Sequence, residues 1–233
     1  MKIKRLHDRL YLKSNRYKQP KESSKMLLKI LKQKKNLKKK QIKILDIGCA
    51  NGELIYFLKE NLEHNIKFYG FDIRQDLINK SKEKLPDVYF KKIDISKKIK
   101  FKEKFDIIIC AGVICIFDKL DDFFYNIKKL SKHDTIVYIF DKLNQYDYNV
   151  FNKYEDFNLR EKVLQSGWNI WSINYLKKFL KNRKVVTHKF DIKIDIKKRD
   201  HDLMRAWTIK VNKKRYFTNG LKLLNNQYWL EFK

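Results

Sequence analysis

Ile42-Lys43-Ile44-Leu45-Asp46-Ile47-Gly48-Cys49-Ala50-Asn51-Gly52-Glu53 is the stretch on which the fold turns. Its first six residues are mostly β-branched or apolar and read as a strand, Ile42 to Ile47. Gly48 lets the chain turn tightly out of that strand. The small Ala50 and Gly52 let backbone approach a ligand closely. Leu54, Ile55, Phe57 and Leu58 then recur at helical spacing, and the first turn of such a helix offers free N–H groups. A glycine turn of this sort is ambiguous by itself, because several nucleotide-binding folds use one.

Working outward, the alternation repeats. Ile66 to Phe71 reads as a strand, Gln75 to Leu85 as a helix, and Val88 to Ile93 as a third strand. Phe105 to Cys110 is a fourth, continuously apolar strand, Leu120 to Leu130 a helix, and Thr135 to Phe140 a fifth strand. Continuous apolar strands alternating with amphipathic helices indicate a parallel sheet covered on both faces. Right-handed crossovers then restrict the topology to a doubly wound sheet. Upstream, Pro20 is a breaker, and Ser23 or Ser24 caps a helix running to about Asn36. Downstream the pattern changes. Residues 141–170 are polar and aromatic without clear periodicity, and Ile173 to Leu180 is helical. Phe190 to Ile196 alternates strictly between apolar and polar, which predicts a strand with one wet face near an antiparallel sheet edge. Ala206 to Val211 and Tyr228 to Phe232 are further strand candidates.

The chain has 233 residues, 43% of them hydrophobic, enough for a substantial core. Aromatics are plentiful and Pro and Gly scarce, which excludes disordered and collagen-like classes. The longest apolar run, Phe105 to Phe117, is broken by Asp106 and too short to span a bilayer. Met1 to Lys18 lacks the apolar core of a secretory signal, so a cytoplasmic location is expected. Cys49, Cys110 and Cys115 have no metal-ligand spacing, and no metal site is expected; they read as buried thiols. The formal charge of +28 points toward an anionic partner. The positive residues are mostly lysine, however, and are spread along a chain also rich in Ile, Asn, Phe and Tyr. That mixture also follows from AT-rich coding.

Asp72 lies at the end of the second strand, where a carboxylate grips ribose hydroxyls. Asp94 closes the third strand and is followed by Ile95, a polar and apolar pair suited to an adenine edge and face. The ordered set Ile44 to Gly52, Gly70-Phe71-Asp72-Ile73, Asp94-Ile95 and Phe105 to Cys110 resembles the motifs of class I S-adenosylmethionine-dependent methyltransferases. The similarity covers roughly residues 40–142. It implies S-adenosylmethionine as cofactor. The loop from Asp46 through Gly48, Cys49 and Ala50 to Gly52 would wrap the methionine portion. Asp72, with Ile73, would hold the ribose diol, Asp94 and Ile95 would contact adenine, and Cys110, Ala111 and Gly112 would face the sulfonium and the acceptor. One departure is Ala50, where the family has a middle glycine. The expected fold is α/β: a doubly wound, mostly parallel seven-stranded sheet with antiparallel C-terminal strands. Residues 1–40 form a helical extension or lid, residues 41–233 the methyltransferase domain, and residues 141–182 a specificity insert.

The sulfonium is already activated, so the protein must align the acceptor and, for a hydroxyl, remove a proton. Candidate bases are Asp141, at the end of the fifth strand, and His201, set between Asp200 and Asp202. A strand-end aspartate such as Asp141 is more often a turn residue. The acids beside His201 hold it toward the charged form, which makes a poor base. No Asn-Pro-Pro-Tyr or Asp-Pro-Pro-Tyr follows the fourth strand, which argues against amino-group methylation of adenine, cytosine or glutamine by the usual route. The segment Met204 to Lys210 with Phe217 to Leu221 resembles the tails of bacterial methyltransferases of surface-polysaccharide modification. The leading expectation is O-methylation of a sugar, nucleotide-sugar or phosphorylated sugar unit, with Arg199, Arg205 and Arg215 as phosphate-binding candidates. The partner is then a small-molecule or glycan acceptor, anionic in character. One rival is an RNA methyltransferase that stacks unpaired bases on Trp168 and Trp171. Another is a methyltransferase-like binding subunit without activity.

Overall fold

The computed structural model describes residues 10–34, 41–62, 65–155, 164–180, 183–200, 205–220, 223–224 and 226–233. Two short N-terminal helices, α1 (Leu10–Lys13) and α2 (Glu22–Lys32), precede the first strand. α2 starts just after Pro20 with Lys21 at its N-cap and no side-chain cap, so neither Ser23 nor Ser24 plays that part. Ser24 instead faces inward with Leu27, Ile30 and Leu31. Packing of this apolar stripe decided the start of the helix over the capping preference. Its end at Lys32 falls short of the expected Asn36, which lies outside the described residues.

The central elements follow as β1 (Ile42–Ile47), α3 (Glu53–Asn61), β2 (Ile66–Asp72), α4 (Gln75–Lys84), β3 (Tyr89–Lys92) and β4 (Phe105–Ala111). α5 (Asp121–Leu130) and β5 (Ser131–Asn144) complete the parallel part. Next come a small hairpin, β6 (Lys153–Glu155) with β7 (Leu164–Ser166), then β8 (Trp171–Ser172) and α6 (Ile173–Phe179). The chain closes with β9 (Val185–Lys189), β10 (Trp207–Val211), β11 (Lys214–Thr218) and β12 (Gln227–Phe232).

The main sheet runs β3-β2-β1-β4-β5-β12-β9, with the two-residue β8 attached to β5. β3, β2, β1, β4 and β5 are parallel, and β12 lies antiparallel between β5 and β9. From β1 the chain winds outward first to β2 and β3, then returns to β4 and β5. That reversal puts a crevice at the carboxyl ends of β1 and β4. One core cluster packs α2, α3 and α4 on one sheet face through Leu27, Leu31, Ile55, Leu58 and Ile78. The other packs α5 and α6 on the opposite face through Phe123, Ile127, Ile173 and Leu176. Both faces are covered, which is why the parallel strands read as continuous apolar runs.

Three differences from the sequence reading have physical causes. β5 extends to Asn144, well past Phe140, because Leu143 and Asn144 gain β8 as a second partner. The alternating run Phe190 to Ile196 is not a strand. The edge of β12 is taken by Val185–Lys189, and the Phe190 N–H makes a last bond to the Gln227 carbonyl before the chain leaves the sheet. Its alternation serves another packing: Phe190 stacks on Phe217, and Ile196 bonds Thr208. Lastly, Trp207–Val211 does not join the main sheet. It pairs with Lys214–Thr218 across a two-residue turn in which Asn212 (φ 48°) and Lys213 (φ 64°) are left-handed.

Candidate active site

The turn after β1 is held from both sides. The N–H groups of Gly48 and Cys49 donate to the Phe71 carbonyl at 2.7 and 3.0 Å. The Ala50 N–H donates to Asp72 Oδ2 at 2.9 Å, and the Arg74 N–H to Asp72 Oδ1 at 2.9 Å. Asp72 thus shapes the turn as well as standing at the rim. Gly48 is left-handed (φ 73°), and a Cβ there would sit 2.3 Å from Val113 Cγ2, so β1 and the turn after β4 meet at a residue that must be glycine. Ala50 is also left-handed, at φ 48°. Such a conformation costs an L-residue about 1 kcal/mol. Ala50→Gly is expected to stabilise the protein by about 0.5–1 kcal/mol, read as a raised melting temperature; a lowered one would refute the strain.

Asp46 lies at the heart of the crevice. It is 3% exposed, and among the described residues no hydrogen bond reaches its carboxylate. Burial, then the charge of Asp72, push its pKa from 3.8 up to about 8, while Lys21 pulls the other way. Between those two values the folded protein keeps a proton that the unfolded chain gives up. Native stability therefore falls as pH rises from about 4 and levels off above about 8. Asp46→Asn removes that proton. Without cofactor the variant is expected to match the parent near pH 4 and to exceed it by on the order of 5 kcal/mol above pH 8. Parallel melting profiles for the two proteins across this range would contradict the assignment.

Cys49 is buried beside Gly70 and Phe90, and burial followed by Asp46 and Asp72 holds its thiol protonated. Gly52 (φ 80°) hands the turn over to α3. Ile73 stands 53% exposed at the same rim. Asp94, one strand further out, accepts from the Ser96 N–H and hydroxyl at 3.1 and 2.5 Å. Ile95 turns its side chain into the core, 6% exposed, and its carbonyl takes the Asn126 amide at 2.9 Å. Cys110 is fully buried, so it presents only backbone. Ala111 is half-buried, and beyond it Gly112 opens onto space: an added Cβ would meet nothing within 4 Å.

Asp141 is buried and fully engaged. Its Oδ2 accepts from the Cys115 N–H at 3.0 Å and its Oδ1 from the Lys142 N–H at 2.9 Å, and burial raises its pKa. It anchors the turn after β4 more directly than it reaches any open space. His201 lies outside the described residues. Arg199 is exposed and Arg205 half-buried, both on the segment that leaves β9 at this end of the sheet. Arg215 is committed to Asp195 through a two-pronged pair at 2.7 and 3.2 Å.

Several residues that the sequence reading passed over hold the rim together. The N-terminal segment straps the start of α3: Ser14 Oγ and the Arg16 N–H donate to Glu53 Oε1, both at 2.7 Å. The Tyr17 hydroxyl donates to the Asn51 carbonyl at 2.7 Å, and the Asn51 amide donates to the carbonyls of Tyr11 and Ser14. Glu53 in the first turn of a helix was a visible cue, but its partners carry no periodic signal. On the other side, Asn169 is a buried pin. Its N–H bonds the Cys115 carbonyl, its amide the Phe117 carbonyl, and its Oδ1 accepts from the Asn152 N–H, all at 2.8 Å. Trp171 donates its ring N–H to the Ile114 carbonyl at 2.8 Å and is 1% exposed. It cannot stack an unpaired base, contrary to the RNA reading. Trp168 is half-buried, with its ring 5.6 Å from that of Tyr154.

The crevice suits an adenosyl cofactor: a left-handed turn of small residues, a buried carboxylate with no ion pair among the described residues, a second carboxylate on the next strand, and an open glycine opposite. Comparisons agree with this. A family model described as a methyltransferase domain matches residues 38–199. An S-adenosylmethionine-dependent methyltransferase from Clostridium acetobutylicum ATCC 824 is 15% identical, with a TM-score of 0.57, over 97% of this chain and 98% of its own. A structure titled as the conversion of a disulfide bond into a thioacetal group during echinomycin biosynthesis is 15% identical, with a TM-score of 0.58, over 97% of this chain and 91% of that one. Coclaurine N-methyltransferase, solved with N-methylheliamine and S-adenosylhomocysteine, is 14% identical with a TM-score of 0.54. That match covers 73% of this chain and 50% of the other, so the chain spans about half the length of that enzyme. No curated protein sequence matches the chain. At these identities the structural likeness speaks for the fold.

Proposed function

We propose, from the premise that this chain belongs to the methyltransferase domain family, that it moves the methyl group of S-adenosylmethionine onto a hydroxyl of a sugar or phosphorylated sugar unit, of the kind built into cell-surface polysaccharides. The observation that carries the cofactor half is Asp46: a buried carboxylate that makes no ion pair among the described residues, beside a turn of small residues. An ammonium delivered there would draw the proton off Asp46 and pair with the resulting carboxylate in a poorly solvated place. Asp72 would receive the ribose hydroxyls while keeping the Ala50 turn in place. Asp94 and Ile73 would flank the adenine. The cofactor supplies an electrophilic methyl group on a positively charged sulfur.

The rest of the task is alignment. Asp141 fixes the turn Gly112–Cys115, and Asn169 and Trp171 clamp the far side of that turn to the post-β5 insert. These residues position the acceptor wall facing Gly112. Asp141, with both oxygens already accepting N–H groups, acts as a positioning residue in this reading. For the acceptor, support comes from the resemblance of the tail, from Arg199 and Arg205 in the stretch that follows β9, and from the absence after β4 of the Pro-Pro-Tyr run used on adenine, cytosine and glutamine amino groups. The +28 charge would draw an anionic acceptor toward the enzyme.

The deciding assay is transfer of a labelled methyl group to nucleotide-sugars and sugar phosphates beside a structured RNA. Labelled sugar with unlabelled RNA is the expected result. Labelled RNA with unlabelled sugars would overturn the acceptor and leave the cofactor assignment standing.

A further inference from the structure

Tyr146 and Tyr148 form an unusual pair. Their rings are parallel within 2°, with centroids 5.7 Å apart, yet they are 64% and 59% exposed. They sit on the loop that leaves the carboxyl end of β5. Ala111, the last residue of β4, pairs with Phe140, and β5 continues four residues further, about 13 Å at the usual rise. The pair therefore stands above the crevice, on its acceptor side. The loop holds its shape by its own bonds. Asn144 Oδ1 accepts from the Tyr146 N–H at 2.8 Å, and its amide donates to the Tyr148 carbonyl at 3.2 Å. Asp147 Oδ1 accepts from the Asn174 amide at 2.8 Å.

The chemistry around the pair is distinctive. From Leu143 to Asn152 there is no lysine or arginine, in a chain where 55 of 233 residues are one or the other. In their place stand Asn144, Gln145, Asn149 and Asn152, with Asp147 as the one charged group. Gln145 is exposed, and among the described residues no hydrogen bond uses its side chain. A strand of nucleic acid would want cations beside the stacking rings. This loop offers stacking rings, amides and a carboxylate, which match a ring with one apolar C–H face and hydroxyls at its edge.

We infer that the Tyr146–Tyr148 pair is a binding platform for an uncharged sugar ring of the acceptor, remote from the methylated atom. This rests on the sugar-methylation reading and adds to it a subsite. Two rings held in place before binding lose little entropy when a sugar settles on them. The platform lies outside the cofactor crevice, so it sets acceptor affinity without touching cofactor affinity.

The test uses the full chain and two double variants, Tyr146→Ala with Tyr148→Ala, and Tyr146→Phe with Tyr148→Phe. Saturation-transfer NMR is run with methyl glycosides of glucose, galactose, mannose, N-acetylglucosamine and rhamnose, and with a short oligouridylate. S-adenosylhomocysteine binding is followed by calorimetry on the same samples. At least one glycoside is expected to bind, to weaken about fivefold or more in the alanine pair, and to be retained in the phenylalanine pair. S-adenosylhomocysteine affinity is expected to be equal in all three proteins. Failure of every glycoside, an alanine pair that binds as the parent does, or a loss confined to oligouridylate would each overturn the platform. If S-adenosylhomocysteine binds while the glycosides fail, only the platform falls. If it does not bind the parent protein, the methyltransferase reading falls too.

Discussion

Asp72→Ala is expected to weaken S-adenosylhomocysteine binding about a hundredfold or more, by calorimetry. Hydrogen bonds to a charged group are each worth about 1.5–3 kcal/mol, and a ribose diol would make two with this carboxylate. The structure adds a second cost. Asp72 accepts the Ala50 and Arg74 N–H groups, so its removal also loosens the turn that shapes the crevice. Asp72→Asn separates the two effects. It keeps one acceptor oxygen for a backbone N–H but loses the charge, and its affinity should fall between parent and alanine variant. Unchanged affinity in Asp72→Ala would remove this residue from the cofactor site.

Trp171→Ala is expected to cost about 3–5 kcal/mol of stability, the range for truncating a buried tryptophan. For a chain of this length that lowers the melting temperature by roughly 10 °C. The ring is 1% exposed, packs 5.5 Å from Tyr175 and 5.2 Å from Phe151, and ties its N–H to the Ile114 carbonyl. Trp171→Phe keeps most of the packing and strands that carbonyl, so about 1–3 kcal/mol is expected. A thermal melt distinguishes this from a base-stacking role. A surface platform would tolerate the alanine with its melting temperature unmoved.

The two residues differ in how visible they were. Asp72 ends an apolar strand at a fixed place in an alternating pattern, so its position at the rim could be read from spacing. Trp171 follows thirty residues without periodicity, and an aromatic there reads equally as exposed platform or core. What buries it is a set of side-chain bonds: Asn149 to the Ser172 N–H, Asn152 to the Trp168 carbonyl, and Asn169 to the Phe117 carbonyl. Amide contacts of this kind leave no repeat in a sequence. The run Phe190 to Ile196 makes the reverse point. Its alternation is real, but strand formation needs a partner edge, and Val185–Lys189 already occupied the one beside β12.

From the sequence by itself came the covered parallel sheet, the small-residue turn after β1, and the carboxylates Asp46, Asp72 and Asp94 at the ends of successive strands. Hydrophobic period and glycine placement are local properties, carried by neighbours in the chain, and they suffice for that much. Only the tertiary structure decided that Asp46 is buried with no ion pair among the described residues, that Asp141 is spent on the turn after β4, and that Trp171 is a clamp. Those outcomes depend on burial and on bonds between residues tens of positions apart, and such contacts exist only once the chain has closed on itself.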